Sequence, residues 1–384
     1  MAHTTDVVVI GGGVIGTSVA YHLAGQNVRT WLVEKNMPGQ EASSAAAGML
    51  AATSGGSKRG PMYQLKCASQ ALYPALIKEL EERTGVDIEY QTPGIFEIIL
   101  TEADEQQYRR VYELRDEQGH PVSWLSAEEA RRREPSLTPA LRAAVHFAGD
   151  HHLHNGKLAE AWAQAAQQRG VTLQTGKTVT EVRINDNDGR VSQVRIGDEW
   201  VSADTIVIAA GSWSAQVGQL FGVTIPIQPA KGQMLTVRTT QLRHVISSGG
   251  RYLVPRKNGE VIIGSTVEFI GHDKAVTLEA IQSLAEWAES IVPGITKAPF
   301  SRFWAGLRPY SPTRRPILCR APGLDNVVVA TGHHRNGILL APITGQLISE
   351  LITTGQTSQS LEPFGLPPEP VSLAEPGEAL GEAE

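Results

Sequence analysis

The sequence contains few cysteines, no long apolar run and no cluster of basic residues. Only two of its 384 residues are cysteines, Cys67 and Cys319, and their separation fits neither a disulfide framework nor a zinc-ligand pattern. No segment approaches the roughly 18 consecutive apolar residues of a membrane helix, and glycines interrupt the apolar N-terminal segment, which no cationic region precedes. We therefore expect a protein of the reducing cytoplasm without a membrane partner.

The charge of the chain is mildly acidic. Its 34 lysines and arginines and 40 aspartates and glutamates give a formal net charge of -6, whereas a nucleic-acid surface needs clustered basic residues. Three histidines, His151, His152 and His154, lie close together, but Asp150 is the one other ligand type beside them, so we interpret this segment as a polar loop. We expect no nucleic-acid partner and no metal.

The N-terminal segment has the pattern of a nucleotide-binding β-turn-α-β unit. A short apolar run leads into residues 11–16 (GGGVIG), which fit G-x-G-x-x-G, and helical periodicity follows. Gly11 allows the tight turn, Gly13 lets the backbone approach a pyrophosphate, and Gly16 allows close packing of helix on strand. Glu34 ends the next predicted strand, where its carboxylate can accept hydrogen bonds from ribose hydroxyls and disfavours a 2′-phosphate. The pattern therefore predicts FAD or NAD.

The loop after Glu34 favours FAD. Residues 42–50 (ASSAAAGML) are small and mostly apolar, so that backbone and hydroxyl groups can lie close to a bulky ring system. The other interpretation is a helix N-cap at Ser43 or Ser44 followed by alanines. Both interpretations can hold at once.

Short apolar strands lead into glycine turns at three places: at the start, at Thr205–Ala210 and at Val327–Ala330. If these strands share a sheet, the nucleotide-binding domain is discontinuous. We predict an α/β fold in which a Rossmann-like FAD-binding domain comprises residues 1–85, 145–230 and 302–362, an α+β substrate domain with a mainly antiparallel sheet comprises residues 86–144 and 231–301, and residues 363–384 form a flexible tail. The charged segment Glu102–Arg133 is expected to be mostly helical, and Trp213 is expected to serve packing.

Several motifs along the chain carry a family likeness. They are Ser43–Leu50 (SSAAAGML), Ala209–Trp213 (AAGSW), Tyr252–Arg256 (YLVPR), Arg302–Pro309 (RFWAGLRP) and Gly332–Pro342 (GHHRNGILLAP). Together with the glycine turn they resemble the glycine oxidases of thiamine biosynthesis, within the superfamily of D-amino-acid and sarcosine oxidases. The likeness extends to about residue 350.

The resemblance implies roles for individual residues. Arg308 matches the arginine that binds the substrate carboxylate, and Tyr252 matches a tyrosine whose hydroxyl assists this arginine. Arg335 matches a second arginine near substrate and flavin. The residues implied as FAD contacts are Gly11, Gly13, Val14, Ile15, Gly16, Glu34, Lys35, Ala42, Ser43, Ala47, Gly48, Met49, Val179, Gly211, His333, His334, Arg335, Asn336, Gly337, Ile338 and Leu339.

The resemblance also implies an activity. It is the oxidative deamination of glycine and other small amines, such as sarcosine and small D-amino acids, to the oxo acid, ammonia and hydrogen peroxide, with O2 as acceptor and a homotetramer as assembly. A D-amino-acid or sarcosine oxidase, a flavin dehydrogenase with another acceptor, and a flavoprotein without catalytic activity remain alternatives. An amine-oxidising module acting on tRNA would need a basic surface, which the net charge of -6 disfavours.

Three positions depart from the relatives. Gly250 and Val267 stand where glycine oxidases can carry histidine and methionine, and both are expected near the substrate pocket. Relatives with covalent flavin have a cysteine shortly after the arginine motif, where this chain has Tyr310–Thr313. Cys319 is expected to be a core thiol, so we predict non-covalent FAD.

Overall fold

The structure is a computed structural model that describes residues 3–55, 59–185, 188–368 and 372. The strands are β1 His3–Ile10, β2 Thr30–Glu34, β3 Met49–Leu50, β4 Ile95–Ile99, β5 Val122–Ser126, β6 Ala143–Phe147, β7 His151–His152, β8 Thr172–Thr175, β9 Val179–Ile184, β10 Val191–Ile196, β11 Glu199–Ile208, β12 Gln228–Arg238, β13 Val245–Ser248, β14 Arg251–Pro255, β15 Glu260–Gly264, β16 Phe300–Tyr310, β17 Ile317–Ala321 and β18 Leu324–Thr331. The helices are α1 Val14–Gly25, α2 Ala42–Ala45, α3 Pro61–Thr84, α4 Glu102–Glu117, α5 Ala127–Arg133, α6 Asn155–Gln168, α7 Ser214–Leu220, α8 Leu278–Ile291 and α9 Gly337–Thr353. Short 3-10 turns lie at Gly211–Trp213, Ile295–Lys297, His334–Asn336 and Glu362–Phe364.

The first sheet has the order β17-β18-β11-β1-β2-β8, with β9 and β10 joined to it through β11. β1 pairs in parallel with β2 and β11, and β11 pairs in parallel with β18. The three strands that lead into glycine turns are therefore neighbours, which confirms the prediction that they share a sheet. Their carboxyl ends form one edge, where ligands of open α/β sheets bind.

Both faces of the first sheet are buried. Side chains of a strand alternate between faces, and in β1 Val7 and Val9 pack into a core built with α1, α3, α6 and α9. Val8 and Ile10 pack into a second core, which β9, β10 and residues around Phe221 complete. This arrangement explains the near-continuous apolar runs of β1 and β11.

The second sheet has the order β16-β12-β15-β14-β13-β4-β6-β5. Its pairs are antiparallel apart from β13 with β4, and α8 covers one face with Leu284, Ala288 and Ile291. The opposite face looks toward the carboxyl edge of the first sheet. The predicted fold class, a Rossmann-like α/β unit with a mainly antiparallel second sheet, is confirmed. In the described part of the chain no helix has both the length and the apolarity to cross a membrane.

The segment predicted as mostly helical, Glu102–Arg133, contains a strand. α4 and α5 flank β5, which pairs with β6, so the helical prediction is wrong for Val122–Ser126. α5 begins at a capping box in which Ser126 Oγ accepts from the amide of Glu129 and the Glu129 carboxylate accepts from the amide of Ser126. The S-x-x-E spacing was a signal of this boundary.

Three predicted limits differ from the layout of the sheets and the core. β16 lies wholly in the second sheet, although residues from 302 onward were assigned to the first domain, and β6 carries residues 145–147 into the second sheet as well. The tail predicted from residue 363 starts too early, because Phe364 is buried in the core beside α9. Most of the predicted tail, residues 369–371 and 373–384, lies outside the described residues.

Candidate active site

One large cavity lies between the carboxyl edge of the first sheet and the inner face of the second. Its volume is about 1470 Å³, which exceeds the roughly 300–1,000 Å³ of a typical small-molecule site. Of the residues predicted to contact cofactor or substrate, all line this cavity except Gly16. The cavity therefore brings together a nucleotide-binding turn and the predicted substrate arginine, and it has room for a dinucleotide together with a small substrate.

The three fingerprint glycines serve different purposes. Gly11 has φ +110°, and a Cβ there would lie 2.4 Å from the carbonyl oxygen of Ala209. Gly16 is not among the residues that line the cavity, and it lets α1 pack on the turn, since a Cβ there would lie 1.9 Å from Gly11 O. Gly13 has an ordinary extended backbone and open space before it, with Ser43 Oγ at 3.4 Å from an added Cβ.

The N-terminus of α1 opens into the cavity. The amide of Val14 donates to Ser43 Oγ at 2.9 Å, and the amides of Ile15 and Gly16 have no acceptor among the described residues. Unpaired amides at the positive end of a helix dipole bind phosphate groups. This helix end therefore fits the pyrophosphate of a dinucleotide.

Glu34 is buried and held from both sides. Its Oε2 accepts from the amide of Gly12 at 2.7 Å, and its Oε1 accepts from the amide of Asn36 at 2.9 Å. The carboxylate thus fixes the glycine turn, a role that the sequence analysis did not assign, and each oxygen keeps a lone pair for a ribose hydroxyl.

We expect Glu34→Gln to weaken FAD binding by about 10- to 100-fold. The glutamine side chain has one oxygen and one NH2 group, so its NH2 group must face the N–H of either Gly12 or Asn36, and two donors then oppose each other. Titration of apoprotein with FAD, followed by flavin fluorescence, measures this change. Glu181→Gln is the control, since that side chain pairs with Arg195 on the surface, outside the cavity. Equal affinities for the two variants would contradict the role of the Glu34 charge.

Trp213 lines the cavity, although the sequence analysis expected it to serve packing alone. Lys35 Nζ lies 3.2 Å from its ring centroid and 3.5 Å from Glu41 Oε1. The cation–π contact orders both side chains at the wall near Glu34.

The loop from Ala42 is seated on the second sheet. Trp304 Nε1 donates to Ala45 O at 3.0 Å, and a Cβ at Gly306 would lie 2.5 Å from Ala45 Cβ. Both partners belong to β16. The loop therefore lies between the two sheets, where its small residues allow close approach.

Arg308 stands near the end of β16 with its guanidinium in the cavity wall. Nη2 donates to Ser265 Oγ at 2.6 Å, and Nη1 donates to Thr266 O at 3.2 Å. Within the described ranges no carboxylate pairs with it. Its positive charge and remaining N–H donors are therefore available to an acidic ligand.

Glycine at position 232 makes room for this guanidinium. A Cβ at Gly232 would lie 2.2 Å from both Nη atoms of Arg308. Gly232 on β12 pairs with Gly306 on β16. This pair lies close to the row of paired residues, across neighbouring strands, that contains Tyr252. No spacing or motif in the sequence marks this contact.

We expect Gly232→Ala to raise KM for the amino-acid substrate by about 10-fold or more with little loss of stability, because the flexible guanidinium moves aside and loses hydrogen bonds. Steady-state kinetics and thermal unfolding measure the two effects. Gly60→Ala, just before α3, is a control outside the cavity, because Gly60 has an extended backbone and no atom lies within 4 Å of an added Cβ. A large fall in the unfolding midpoint with unchanged KM would contradict the expectation.

Tyr252 faces the cavity from β14. Met234, Gly264, Tyr252 and Ser247 pair in one row across four strands. A Cβ at Gly264 would lie 2.8 Å from the Tyr252 ring, and the Tyr252 hydroxyl contacts Met234 Sδ at 3.6 Å. Because a thioether is a weak acceptor, this hydroxyl can donate to a stronger one.

The segment before α9 closes the cavity. Burial lowers the pKa of His333 to about 3, and its Nε2 lies 3.0 Å from Thr344 Oγ1. Burial also lowers the pKa of His334, and the charges of Arg308, Arg335 and Arg314 add to this shift. Both imidazoles are therefore neutral at pH 7. Arg335 itself lines the cavity with an exposed side chain.

His151 and His154 each make a hydrogen bond within the fold. His151 Nδ1 lies 2.5 Å from the Tyr90 hydroxyl, and His154 Nδ1 accepts from the amide of Lys157 at the start of α6. Among the described residues no three His, Cys, Asp or Glu side chains are grouped to hold a metal ion.

Comparison with known proteins defines the class. Residues 6–351 match the family model DAO, FAD dependent oxidoreductase, and the glycine turn, the helix end and the cavity described above fit that cofactor. The chain belongs to the DAO family of FAD-dependent oxidoreductases.

Within this family the resemblance to glycine oxidases is confirmed. A glycine oxidase of Geobacillus kaustophilus is 36% identical over 370 residues, 95% of this chain and 97% of that protein. The crystal structure of glycine oxidase from Geobacillus kaustophilus matches with a TM-score of 0.92 at 35% identity and covers 96% of this chain and 100% of that one. The bifunctional protein ThiO/ThiG of Synechocystis sp. is 34% identical over 95% of this chain and 54% of that protein. The chain is thus an FAD-dependent amino-acid oxidase by family.

Proposed function

We propose that this enzyme oxidatively deaminates glycine and other small amino acids or amines. One observation carries the proposal: Arg308, without a carboxylate partner among the described residues, and Tyr252 face the same cavity as the nucleotide-binding turn. FAD bound there would supply the hydride acceptor. The protein's own contribution is to bind and orient the substrate.

The substrate carboxylate would bind Arg308. A guanidinium can donate two parallel hydrogen bonds to a carboxylate, and Ser265 and Thr266 restrict its position from behind. The Tyr252 hydroxyl would add a third donor. Such placement can supply on the order of 7 kcal/mol of the barrier in favourable cases.

The site also favours the uncharged amine that the reaction needs. Burial and, after it, the charges of Arg308, Arg335 and Arg314 lower the pKa of His334, and the same charges would lower the pKa of a bound ammonium group. No protein base is then required at the α-carbon.

Small residues at two positions widen the part of the cavity that would hold the substrate. Gly250 and Val267 both line the cavity, where glycine oxidases can carry histidine and methionine. Met49 and Met234 are flexible walls at the same cavity. We infer that sarcosine and small D-amino acids are accepted beside glycine.

The overall reaction we propose converts glycine, water and O2 to glyoxylate, ammonia and hydrogen peroxide, and it would serve thiamine biosynthesis. FAD would be held without a covalent bond, because neither Cys67 nor Cys319 lines the cavity and Cys319 packs against the second core of the first sheet. An amino-acid dehydrogenase that passes electrons to another acceptor is the second candidate, since it would use the same binding groups.

Anaerobic mixing of the FAD-loaded protein with glycine, sarcosine, D-alanine and D-proline tests the proposal. We expect the yellow flavin to bleach with at least one of them, and the admission of O2 to restore the colour with one hydrogen peroxide per flavin. Bleaching without peroxide would favour the dehydrogenase. No bleaching with any of the four would reject the proposed substrate class.

We further propose a cytoplasmic homotetramer. Phe300 and Phe303 are each 55% exposed on β16, an outer strand of the second sheet in the described chain. Exposed aromatic groups on a strand edge favour association. Light scattering after size-exclusion chromatography measures the mass, and a monomer at micromolar concentration would contradict the assembly.

A further inference from the structure

Arg256 is a buried arginine next to the end of β14. Its Nη1 donates to Leu153 O at 2.5 Å, and its Nη2 donates to Ala47 O at 2.9 Å and to Asn155 Oδ1 at 3.0 Å. Burial lowers the pKa of this guanidinium to about 10, so it is still charged at neutral pH. Among the described residues no carboxylate forms an ion pair with it. Glu89 and Glu260 act on this charge only from beyond ion-pair distance, and a buried charge without a paired counter-charge is costly, which suggests a role besides stability.

Two of the three acceptors of Arg256 connect it to the loop that lines the cavity, Ala47 directly and Asn155 through its own side chain. The buried Asn155 side chain donates from Nδ2 to Ser43 O and to Ser44 O, each at 2.8 Å. Arg256 and Asn155 together thus hold carbonyl groups of Ser43, Ser44 and Ala47. They contact the loop from the side of Leu153 and α6.

This contact sets the direction of one peptide group. In a trans peptide the carbonyl and the following N–H point in opposite directions. Because Ala47 O faces Arg256, the N–H of Gly48 faces away from it, and Gly48 lines the cavity. The Gly48 N–H has no acceptor among the described residues.

The peptide has little freedom to turn. Gly48 has φ +72°, and a Cβ there would lie 2.0 Å from Leu153 O. Leu153 N donates to Gly48 O at 3.0 Å, while Leu153 O accepts from Arg256. The Ala47–Gly48 peptide is thus held by Arg256 at Ala47 O and by Leu153 at Gly48 O. The positively charged guanidinium lies behind the Gly48 N–H, which is a main-chain donor.

We propose that Arg256 is a positioning residue for the flavin: it orients the Ala47–Gly48 peptide so that the Gly48 N–H donates to an acceptor atom of the isoalloxazine ring. The charge also polarises the Ala47 carbonyl, which strengthens the N–H as a donor. A donor fixed before the ligand arrives costs no reorganisation on binding. This inference rests on the cofactor site of the proposed function.

Arg256→Lys tests the inference, because lysine keeps the charge but not the planar fork that reaches all three acceptors. We expect the dissociation constant for FAD to rise by about 10-fold or more and the visible absorption bands of the bound flavin to shift. Apoprotein titration with FAD, absorption spectra and thermal unfolding of the apoprotein are the readouts. Arg320→Lys is the control, since Arg320 also donates to two main-chain carbonyls but lies outside the cavity.

The outcomes separate the two proposals. If wild-type apoprotein takes up no FAD, the cofactor site itself is wrong. If Arg256→Lys binds FAD with wild-type affinity and an unchanged spectrum, the positioning role is rejected while the site stands. Should Arg256→Lys fail to fold, Arg256→Gln with its one amide donor gives the same comparison, and a flavin spectrum identical to the wild type would again reject the role.

Discussion

Replacing Arg308 by lysine raises KM for glycine by about 10- to 100-fold, because one hydrogen bond to a charged carboxylate is lost while the positive charge remains. Lysine has no planar fork, so it cannot hold the carboxylate by two parallel bonds. Its single nitrogen would have to serve Ser265 Oγ, Thr266 O and the substrate together, whereas the guanidinium reaches the two protein acceptors from two separate nitrogens. A fall in kcat accompanies the change, since the α-carbon is then oriented less well.

The control for this variant lies on the same strand. Arg302 is exposed, and its guanidinium lies 4.8 Å from the Trp304 ring centroid, outside the large cavity. Arg302→Lys should leave KM and kcat at wild-type values. Steady-state kinetics on both variants, with FAD content measured for each, decides the matter. A wild-type KM for Arg308→Lys would remove Arg308 from the substrate site.

Replacing Gly13 by alanine weakens FAD binding by about 100-fold and leaves the apoprotein folded. The backbone of Gly13 has φ -70° and ψ 176°, which alanine adopts without strain. The added Cβ has space in the empty turn, with its nearest neighbour Ser43 Oγ at 3.4 Å. That space is the one the pyrophosphate needs, so FAD affinity should fall by about 100-fold, at the upper end of the cost of overpacking.

Gly16→Ala is the contrasting variant. Its Cβ would lie 1.9 Å from Gly11 O, so α1 must move away from the turn and the apoprotein itself should lose stability. Thermal unfolding of the two apoproteins and FAD titration of Gly13→Ala separate a binding defect from a folding defect. An apoprotein of Gly13→Ala that unfolds as readily as Gly16→Ala would contradict this division of roles.

The features that sequence predicted well are local. Gly11, Gly13 and Glu34 could be assigned because strand, turn and helix follow one another in the chain, and their spacing alone defines the geometry. The resemblance added Arg308 and Tyr252, whose neighbourhood comes from strand pairing. The boundary at Ser126 was missed although a capping signal was present, because the surrounding charge pattern is typical of a helix.

Other parts of the site have no local signal. Gly232 and Ser265 reach Arg308 through the pairing of β12, β15 and β16, and no spacing in the sequence marks either residue. Nothing in the sequence distinguishes Trp213 from a tryptophan of the core. Its place on the cavity wall depends on the turn after β11. Arg256 was visible in a motif, but its acceptors come from segments some hundred or more positions earlier.

The edge that binds the nucleotide is built from β1, β11 and β18, which are synthesised first, midway and near the end. A nascent chain on the ribosome therefore presents its glycine turn long before β18 and α9 emerge to cover it. Until then apolar side chains of earlier elements, such as Val19 in α1 and Val207 in β11, both fully buried in the finished fold, lack the partners that β18 and α9 supply. The yellow colour of bound FAD should therefore appear only after β18 and α9 have left the ribosome, and chaperones should recognise the growing chain until that moment.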